Sequence, residues 1–461
     1  MRPCFSLGCS GGGRPEPASH EAPEEARTVP AANQPRDTAG HVHCVGLIAE
    51  AFIAEIETRA GTDVGRGRVR LAATIVAAHA LKHLYISGFG SLVMPRIKIG
   101  LALSSAQFGS LATARSIANS FSTFSAGYLG DRFSGSAGPM LAFSLGLMGV
   151  SLALAGFAPN YWTMFAVMFL VGIGPAFFHP PAIGALSRRF PNRRGFAVSL
   201  HGMGANAGEV LGPATAAGVL ALLMWRDVLR VSVIPALLAA LAVWMLVRAT
   251  PGERQAGVES FRAYLASVGG LLRNRVLIVL VVAVALKGVG EGAVTVFLPV
   301  YLIEELKYSS ARAGLLLSIQ KVAGLVSQPV MGLLSDRYGR KAVLAPAMAT
   351  AAALAFALSL AEPGPQLVAV VVASGAFSFS LHHVFITAAI DSARGPLQST
   401  VVALIYGASF VGAVSPYLAG LISDRFGIPG AFVYSGIVLS ISAALIARSR
   451  IPRPQPPVPS P

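Results

Sequence analysis

The chain of 461 residues is 54% hydrophobic and only 12% charged, and its mean hydropathy is +0.64. Soluble proteins carry roughly 25% charged residues, so this composition excludes an ordinary soluble protein and indicates a chain embedded in lipid. The net charge of +15 is divided among loops between apolar segments rather than gathered on one basic face, so no nucleic-acid partner is predicted.

Residues 1–66 are predicted to form a disordered N-terminal tail rich in Pro, Gly, Ala and Glu, with an amphipathic helix over residues 45–59. The acidic side of that helix suits an anionic lipid surface poorly, so a groove on a partner or a loosely held surface helix is expected instead. All three cysteines, Cys4, Cys9 and Cys44, lie in this tail and form no even-numbered framework. No disulfide scaffold is therefore predicted.

Twelve apolar segments follow from Leu71 onward, and each is long enough to cross roughly 30 Å of hydrocarbon as a helix. The first six define an N-terminal half, residues 67–248, and the last six a C-terminal half, residues 276–450. A polar linker, residues 249–275, joins the halves, and a Pro-rich tail, residues 451–461, ends the chain. The predicted spans are 71–94, 105–129, 137–157, 160–187, 196–220, 228–247, 276–301, 311–334, 342–361, 366–390, 399–421 and 430–447.

Landmarks of the first half recur roughly 200 residues later in the second half. At this offset Pro95 is matched by Pro299, and His179 by His382. Such a duplication predicts an all-α integral membrane protein whose twelve transmembrane helices form two parallel six-helix repeats, an architecture typical of transporters. Lys and Arg are concentrated in the loops on one side of the spans, so both termini of this multi-pass cell-membrane protein are expected to be cytoplasmic.

A charged loop between spans 8 and 9 carries the most specific motif of the chain. It reads GLLSDRYGRK, and a degraded copy, GYLGDR, follows span 2 without the second glycine and the basic end. Together with the twelve spans and the repeat, this loop resembles the loop between helices 8 and 9 of the major facilitator superfamily. We call its residues the latch: Gly332, Asp336, Arg337, Gly339, Arg340 and Lys341, with Gly127, Asp131 and Arg132 in the first copy.

The resemblance implies a transporter that alternates between two states, one of which the latch stabilises at the cytoplasmic face. Glycine allows two helices to approach closely, and the carboxylate of Asp336 is expected to meet the N-terminus of a neighbouring helix, where unpaired N–H groups favour negative charge. The alternative is that the basic residues of the latch only stop translocation during insertion.

Span 5 carries Gly208 and Gly212-Pro213, which resemble the core of the antiporter motif of the same superfamily. The alternative is an ordinary, tightly packed helix. Met168 stands where proton-linked drug exporters of the superfamily carry an arginine, which weakens a prediction of drug efflux by that mechanism. A further likeness, to the fosmidomycin-resistance branch, rests on His79, Tyr85, Gly88 and the Phe178-His179-Pro180 stretch, but Lys82 and His83 replace the Asn and acidic residue of that branch.

Ionisable side chains inside the predicted spans each need a cavity, a partner or a role, because a charge in hydrocarbon is costly. Lys287 and Glu291 are four residues apart and are expected to pair on one helix. Glu209 is expected in the outer third of span 5, and Lys321 either lines the cavity or extends toward the membrane surface. The predicted cavity residues are His79, Lys82, His83, Tyr85, Arg115, His179, Glu209, Lys287, Glu291, Gln320, Lys321 and His382.

The excess of cations over carboxylates predicts an anionic group on the solute. We therefore expect a proton-coupled secondary transporter of a small organic solute, with export one of the two directions left open and with Glu291, Glu209 or the span 1 histidines carrying the proton. A membrane receptor or scaffold without transport, and a uniporter, are the alternatives. An enzyme is not expected, because the sequence contains no phosphate loop, nucleophile elbow or metal-spaced His and Cys set. Neither a cofactor nor a metal is predicted, and the chain is expected to be a monomer.

Overall fold

A computed structural model describes residues 63–132, 137–190, 194–247, 271, 273–393 and 398–451. The predictions for residues 1–62 of the N-terminal tail, for most of the polar linker and for residues 452–461 of the Pro-rich tail fall outside these residues. Residues 63–66 of the predicted disordered tail are helical, because the first helix begins earlier than its apolar segment. Every regular element is helical, as the composition and spacing of the apolar segments predict.

The N-terminal half begins with α1, which continues through a π-helical turn, Phe89–Val93, into α2. Pro175 lies in the last turn of α5, and two prolines follow His179 at the start of α6, so predicted span 4 is two helices rather than one. The helices of this half are α1 (Asp63–Gly88), α2 (Met94–Gly100), α3 (Ser105–Arg132), α4 (Ala137–Phe157), α5 (Tyr161–Ala176), α6 (His179–Arg189), α7 (Arg194–Leu222), α8 (Trp225–Val231) and α9 (Val233–Leu246).

The C-terminal half repeats this plan. Its first helix ends in a π-helical turn, Tyr301–Glu305, and predicted span 11 is divided by a 3₁₀ segment, Ser409–Val414, where Gly412 lies against the backbone of Gly288. The helices of this half are α10 (Arg275–Val300), α11 (Ser310–Tyr338), α12 (Arg340–Leu360), α13 (Pro365–Ala393), α14 (Gln398–Ala408), α15 (Ser415–Phe426) and α16 (Ile428–Arg448).

Eight helical stretches within the described residues are long and apolar enough to cross a membrane. The other four predicted spans coincide with α1, α3, α7 and α11, which are 26, 28, 29 and 29 residues long. Each of these four contains an ionisable side chain at least one helical turn from either end: Lys82, Arg115, Glu209 and Lys321 respectively. That the four also cross the membrane stays a prediction from the sequence.

Helix α7 packs tightly against α1 through three glycines spaced four residues apart, Gly204, Gly208 and Gly212. A Cβ atom added at Gly204 would lie 2.6 Å from the carbonyl oxygen of Val76, and one at Gly212 would lie 2.8 Å from the amide nitrogen of Gly88. Small residues on one helical face let two backbones approach closely where lipid offers no hydrophobic drive for association. This row of three glycines, the glycine ridge, thereby holds the polar residues of α1 and α7 next to each other.

The two halves meet at the ends of the helices that lie away from the chain termini, a region we call the distal face. Here Asp424, in the last turn of α15, accepts hydrogen bonds from the amide nitrogens of Ser105 and Ala106 at 2.6 and 2.9 Å. Lys98 pairs with Glu304 of the other half at 2.6 Å. A carboxylate on the first amides of a helix satisfies donors that have no partner within the helix. These contacts close the structure at the distal face.

Candidate functional site

A central cavity of about 620 Å³ lies between the two halves. A chamber of about 200 Å³ adjoins it toward the distal face and shares Arg115, Glu291 and Phe379 in its wall. Of the predicted residues, the central cavity is lined by Lys82, His83, Arg115, His179, Lys287, Glu291 and His382, and the distal chamber adds Glu209, Gln320 and Lys321. The apolar spans therefore enclose two adjoining spaces, the central cavity and the distal chamber, whose walls carry many ionisable groups.

Lys82 is buried in the wall of this cavity, with 2% of its surface exposed. Its Nζ lies 2.7 Å from Nε2 of His179, the first residue of α6. An ammonium group can only donate, so Nε2 of His179 accepts and its proton sits on Nδ1. Nζ also lies 5.6 Å from the ring centre of Phe178. None of these contacts neutralises the charge of Lys82.

Four imidazole rings lie together where α1, α6 and α7 meet. His79 stacks on His201 with ring centres 3.6 Å apart, and the rings of His83 and His179 lie edge-on to it at 4.7 and 4.8 Å. His79 is 1% exposed and His201 is 3% exposed. One ring nitrogen each of His79, His83 and His179 lies within 4.8 Å of the other two. His79 and His83 are four residues apart and share a face of α1, whereas His179 and His201 come from two other helices.

Glu209 links the two halves through its two carboxylate oxygens. Oε1 accepts a hydrogen bond from Nδ1 of His83 at 2.9 Å, and Oε2 pairs with Nζ of Lys321 on α11 at 2.8 Å. Glu209 thus lies in the interior near the middle of α7, which corrects the expected position in the outer third. Lys321 points into the protein, where its Nζ also lies 4.1 Å from the ring centre of Phe379. The alternative in which Lys321 extends to the membrane surface is wrong.

Lys287 and Glu291 form an ion pair of 2.5 Å on one face of α10, as their four-residue spacing predicted. Oε1 of Glu291 is buried and has no hydrogen-bond partner among the described residues. Glu291 therefore has one oxygen that remains available for a proton or a donor. In the distal chamber, Nε2 of Gln320 donates a hydrogen bond to Oγ of Ser374 at 3.1 Å.

Arg115 is a cavity cation that no carboxylate of the described residues contacts directly. It lines both chambers, yet its side chain makes no hydrogen bond or ion pair with any residue that the structure describes, and its Nε is buried without a partner. The guanidinium carbon lies 5.9 Å from the ring centre of Phe89. An uncompensated charge at such a depth is costly, and an anionic ligand would supply the missing partner.

Tyr85 and His79 do not line the central cavity or the distal chamber. Tyr85 borders a separate space of about 20 Å³, and its hydroxyl donates to the carbonyl oxygen of Ser232 at 2.6 Å. This bond connects α1 to the segment between α8 and α9. The expected place of Tyr85 in the wall of the central cavity is therefore wrong, because its hydroxyl is bonded to Ser232 and its ring borders the smaller space instead.

The latch of the second half is organised around Arg340. Its guanidinium binds the carboxylate of Asp391 at 2.8 Å, Oγ of Ser335 at 2.7 Å and the carboxylate of Asp336. Asp336 therefore pairs with the side chain of Arg340 instead of a helix N-terminus. Of the remaining latch residues, Gly339 has φ = +98° and Lys341 donates a hydrogen bond to the carbonyl oxygen of Ser449. Arg337 lies over the ring of Tyr338, and a Cβ atom added at Gly332 would lie in open space.

The side chains of the first latch copy, Gly127, Asp131 and Arg132, lie outside the described part of the structure. A third occurrence of the motif went unnoticed in the sequence. Residues 420–427 read GLISDRFG, close to the GLLSDRYG of residues 332–339, and Asp424 of this copy caps α3 at the distal face. A search for the loop motif at other positions would have found it.

Comparison with known proteins identifies the family of this chain. The sequence model of the Major Facilitator Superfamily matches residues 76–319 and 280–461. The chain belongs to the Major Facilitator Superfamily. Its helices superpose on the solved nucleoside transporter NupG (D323A mutant) with a TM-score of 0.73, at 14% identity, over 82% of this chain and 98% of that one. A bacterial homologue of the human lysosomal transporter Spinster, in an inward-facing and unoccupied conformation, gives 0.66 at 16% identity over 83% and 96%.

Among curated members of the superfamily, the chain is 24% identical over 285 residues to the uncharacterized MFS-type transporter YfnC of Bacillus subtilis (strain 168), covering 60% of this chain and 68% of that protein. It is 26% identical over 298 residues to the fosmidomycin resistance protein of Escherichia coli (strain K12), covering 62% and 70%. The multidrug resistance protein MdtG of Citrobacter koseri is 27% identical over 312 residues, covering 65% and 74%. The expected family and the likeness to the fosmidomycin-resistance branch are confirmed, and the protein is a multi-pass membrane transporter of small molecules.

Proposed function

We propose that this protein is a proton-coupled secondary transporter that moves a small organic anion by alternating access. The observation that carries the proposal is the unpaired Arg115 in a cavity shared by both halves. A solute bound there contacts both repeats at once, so rocking of the halves exposes it first on one side of the membrane and then on the other.

The charges around the two chambers favour an anion. Lys287 and Lys321 are neutralised by Glu291 and Glu209 respectively. Lys82 contacts an imidazole nitrogen and the ring of Phe178, and Arg115 makes no hydrogen bond or ion pair with a described residue. Two cations are thereby left for the solute. A carboxylate or phosphate group would satisfy the fork-shaped guanidinium with two hydrogen bonds and would relieve the cost of burying it.

Two carboxylates are suited to carry the coupling proton. Glu291 keeps one oxygen free of hydrogen bonds, and a proton there would remove the charge that neutralises Lys287. Glu209 joins His83 to Lys321 across the halves, and a proton there would weaken this inter-half pair. The first event changes the charge of the cavity and the second changes the contact between the halves, and coupling must connect these two properties.

The state seen here is closed at the distal face, where Asp424 caps α3 and Lys98 pairs with Glu304. The positive-inside rule places the chain termini in the cytoplasm, so we assign this state as inward-facing. Relatives named for resistance to fosmidomycin and to multiple drugs support export across the cell membrane, the inner membrane in bacteria with two membranes. We propose that the monomer carries out the cycle.

A panel of matched anionic, neutral and cationic solutes tests the proposal on the purified protein. We expect anions to raise the melting temperature of the wild type and of Arg312→Ala, in which an exposed cation outside both chambers is removed. Lys82→Ala and Arg115→Ala should lose this response. In vesicles, the best anion should cross faster when a pH gradient is imposed. Stabilisation by cations alone, with no effect of either cavity substitution, would refute the anion assignment; flux indifferent to the gradient would indicate a uniporter, and binding without flux a receptor.

A further inference from the structure

The histidine cluster of the N-terminal half has a property that anion transport does not explain. Nε2 of His79 and Nε2 of His83 are both buried and have no hydrogen-bond partner among the described residues. Two buried polar nitrogens without partners are costly, and they lie side by side on one face of α1. A proton would satisfy at most one of them, whereas a metal ion accepts lone pairs from several nitrogens at once.

The other ring nitrogen of each histidine shows which nitrogen is free to bind. Nδ1 of His79 lies 2.7 Å from the carbonyl oxygen of His201, and Nδ1 of His83 lies 2.9 Å from the carboxylate of Glu209. Both oxygens can only accept, so both Nδ1 atoms carry the proton and both Nε2 atoms present a lone pair. Histidines that bind metals are usually oriented in this way, with the distal N–H held by a carbonyl or a carboxylate.

We propose that His79, His83 and His179 form a zinc site at the wall of the central cavity. Three neutral imidazoles with one open position are a ligand set that suits Zn²⁺, and the three nitrogens lie within 4.8 Å of one another. Zinc–nitrogen bonds are about 2.0–2.1 Å long, so the rings must close in slightly when the ion binds. His83 and His179 line the cavity, which supplies the entry path and the fourth ligand position.

Lys82 competes with the metal. Its ammonium group lies 2.7 Å from Nε2 of His179, the lone pair that the third ligand would use. Zinc and this ammonium cannot both stay at that nitrogen, because two cations at such a distance repel strongly in a medium of low polarity. Arg115, which also lines the cavity, adds positive charge, and among the described residues Glu209 is the carboxylate in direct contact with one of the three histidines, His83. The metal therefore binds weakly until Lys82 is displaced.

Zinc titrations by isothermal calorimetry test the site on the full-length, tag-free protein in detergent at neutral pH. Replacing the competitor in Lys82→Met should strengthen zinc binding at least about tenfold relative to the wild type. Adding His79→Gln to Lys82→Met should abolish this site. Adding His383→Gln, an exposed histidine outside the cluster, should leave it intact. Should Lys82→Met fail to give a monodisperse protein, Lys82→Gln removes the same charge.

Two results would overturn the proposal. One is a zinc isotherm of Lys82→Met that is unchanged by His79→Gln, and the other is equal zinc affinity in wild type and Lys82→Met. Background binding by His41, His43 and Cys44 in the N-terminal tail is common to all variants and cancels in the comparison. Cobalt provides a spectroscopic control, since tetrahedral imidazole ligation colours the protein without the thiolate charge-transfer band that Cys44 would add.

Discussion

The ion pair between Glu209 and Lys321 joins the two halves through the protein interior, and its removal gives the sharpest test of the packing. We consider Glu209→Gln, which keeps an oxygen to accept the hydrogen bond from His83 but removes the charge that faces Lys321. The loss therefore reports mainly on the contact between the halves.

The size of the effect follows from burial. The two side chains are 26% and 19% exposed, so the pair lies between a surface pair, worth about 0.2–1 kcal/mol, and a buried pair, whose breakage costs about 3–5 kcal/mol. We expect Glu209→Gln to lower the free energy of unfolding by about 2 kcal/mol. In the double variant with Lys321→Met the loss should be less than additive, with a coupling energy of about 1–2 kcal/mol.

Unfolding in mixed detergent micelles, followed by tryptophan fluorescence, measures these free energies. The matched control is the pair Glu291→Gln and Lys287→Met, which removes an ion pair that lies on a single helix. Spin labels on the two halves at the distal face should report a wider distribution of distances in Glu209→Gln than in Glu291→Gln. Additive losses in the Glu209 and Lys321 cycle, or unchanged distances between the halves, would refute the reasoning.

Three further substitutions probe other contacts. Asp424→Ala removes the cap of α3 and should destabilise the state that is closed at the distal face by about 1 kcal/mol. A cysteine introduced at the distal face should then be labelled faster. Glu362→Ala, which removes an exposed carboxylate elsewhere, should leave the labelling rate unchanged. Gly208→Leu should prevent stable folding or lower the melting temperature sharply, because α1 leaves no room for a side chain at this position. Gly202 lies on the same helix and has open space beside it, so Gly202→Leu should melt like the wild type. Equal melting temperatures of the two variants would contradict the close packing of α7 against α1. Arg340→Gln should lower the free energy of unfolding of the C-terminal half by about 2 kcal/mol, whereas Arg337→Gln should have little effect. Equal losses for the two variants in unfolding experiments would contradict the central role of Arg340 in the latch.

The family, the helical segments and the pair of Lys287 and Glu291 could be predicted from the sequence because each depends on local signals. Apolar length defines a span, and a four-residue spacing places two side chains on one face of a helix. The breaks inside spans 4 and 11 were missed, although Pro175 and Gly412 lie at or near them. Membrane helices tolerate proline and glycine, so the sequence alone does not tell a kink from a break.

Contacts between distant parts of the chain were beyond the reach of sequence patterns. Glu209 meets Lys321 and His83 only because a glycine ridge brings α7 against α1 and because the halves close together. Likewise, the helical spacing of His79 and His83 does not show that His179 and His201 arrive from other helices. Tyr85 was wrongly placed for the same reason, since the side of α1 that faces the cavity depends on packing and not on residue type.

Anion flux through Arg115 is the most direct test of the central claim that an unpaired buried cation binds the solute. Vesicles containing wild type, Arg115→Gln or Arg312→Gln would be loaded with the anion that gives the largest thermal stabilisation, and its release would be followed under a fixed pH gradient. We predict that Arg115→Gln abolishes release while its melting temperature stays at or above that of the wild type, and that Arg312→Gln releases the anion at the wild-type rate. Equal release by all three proteins would contradict the account.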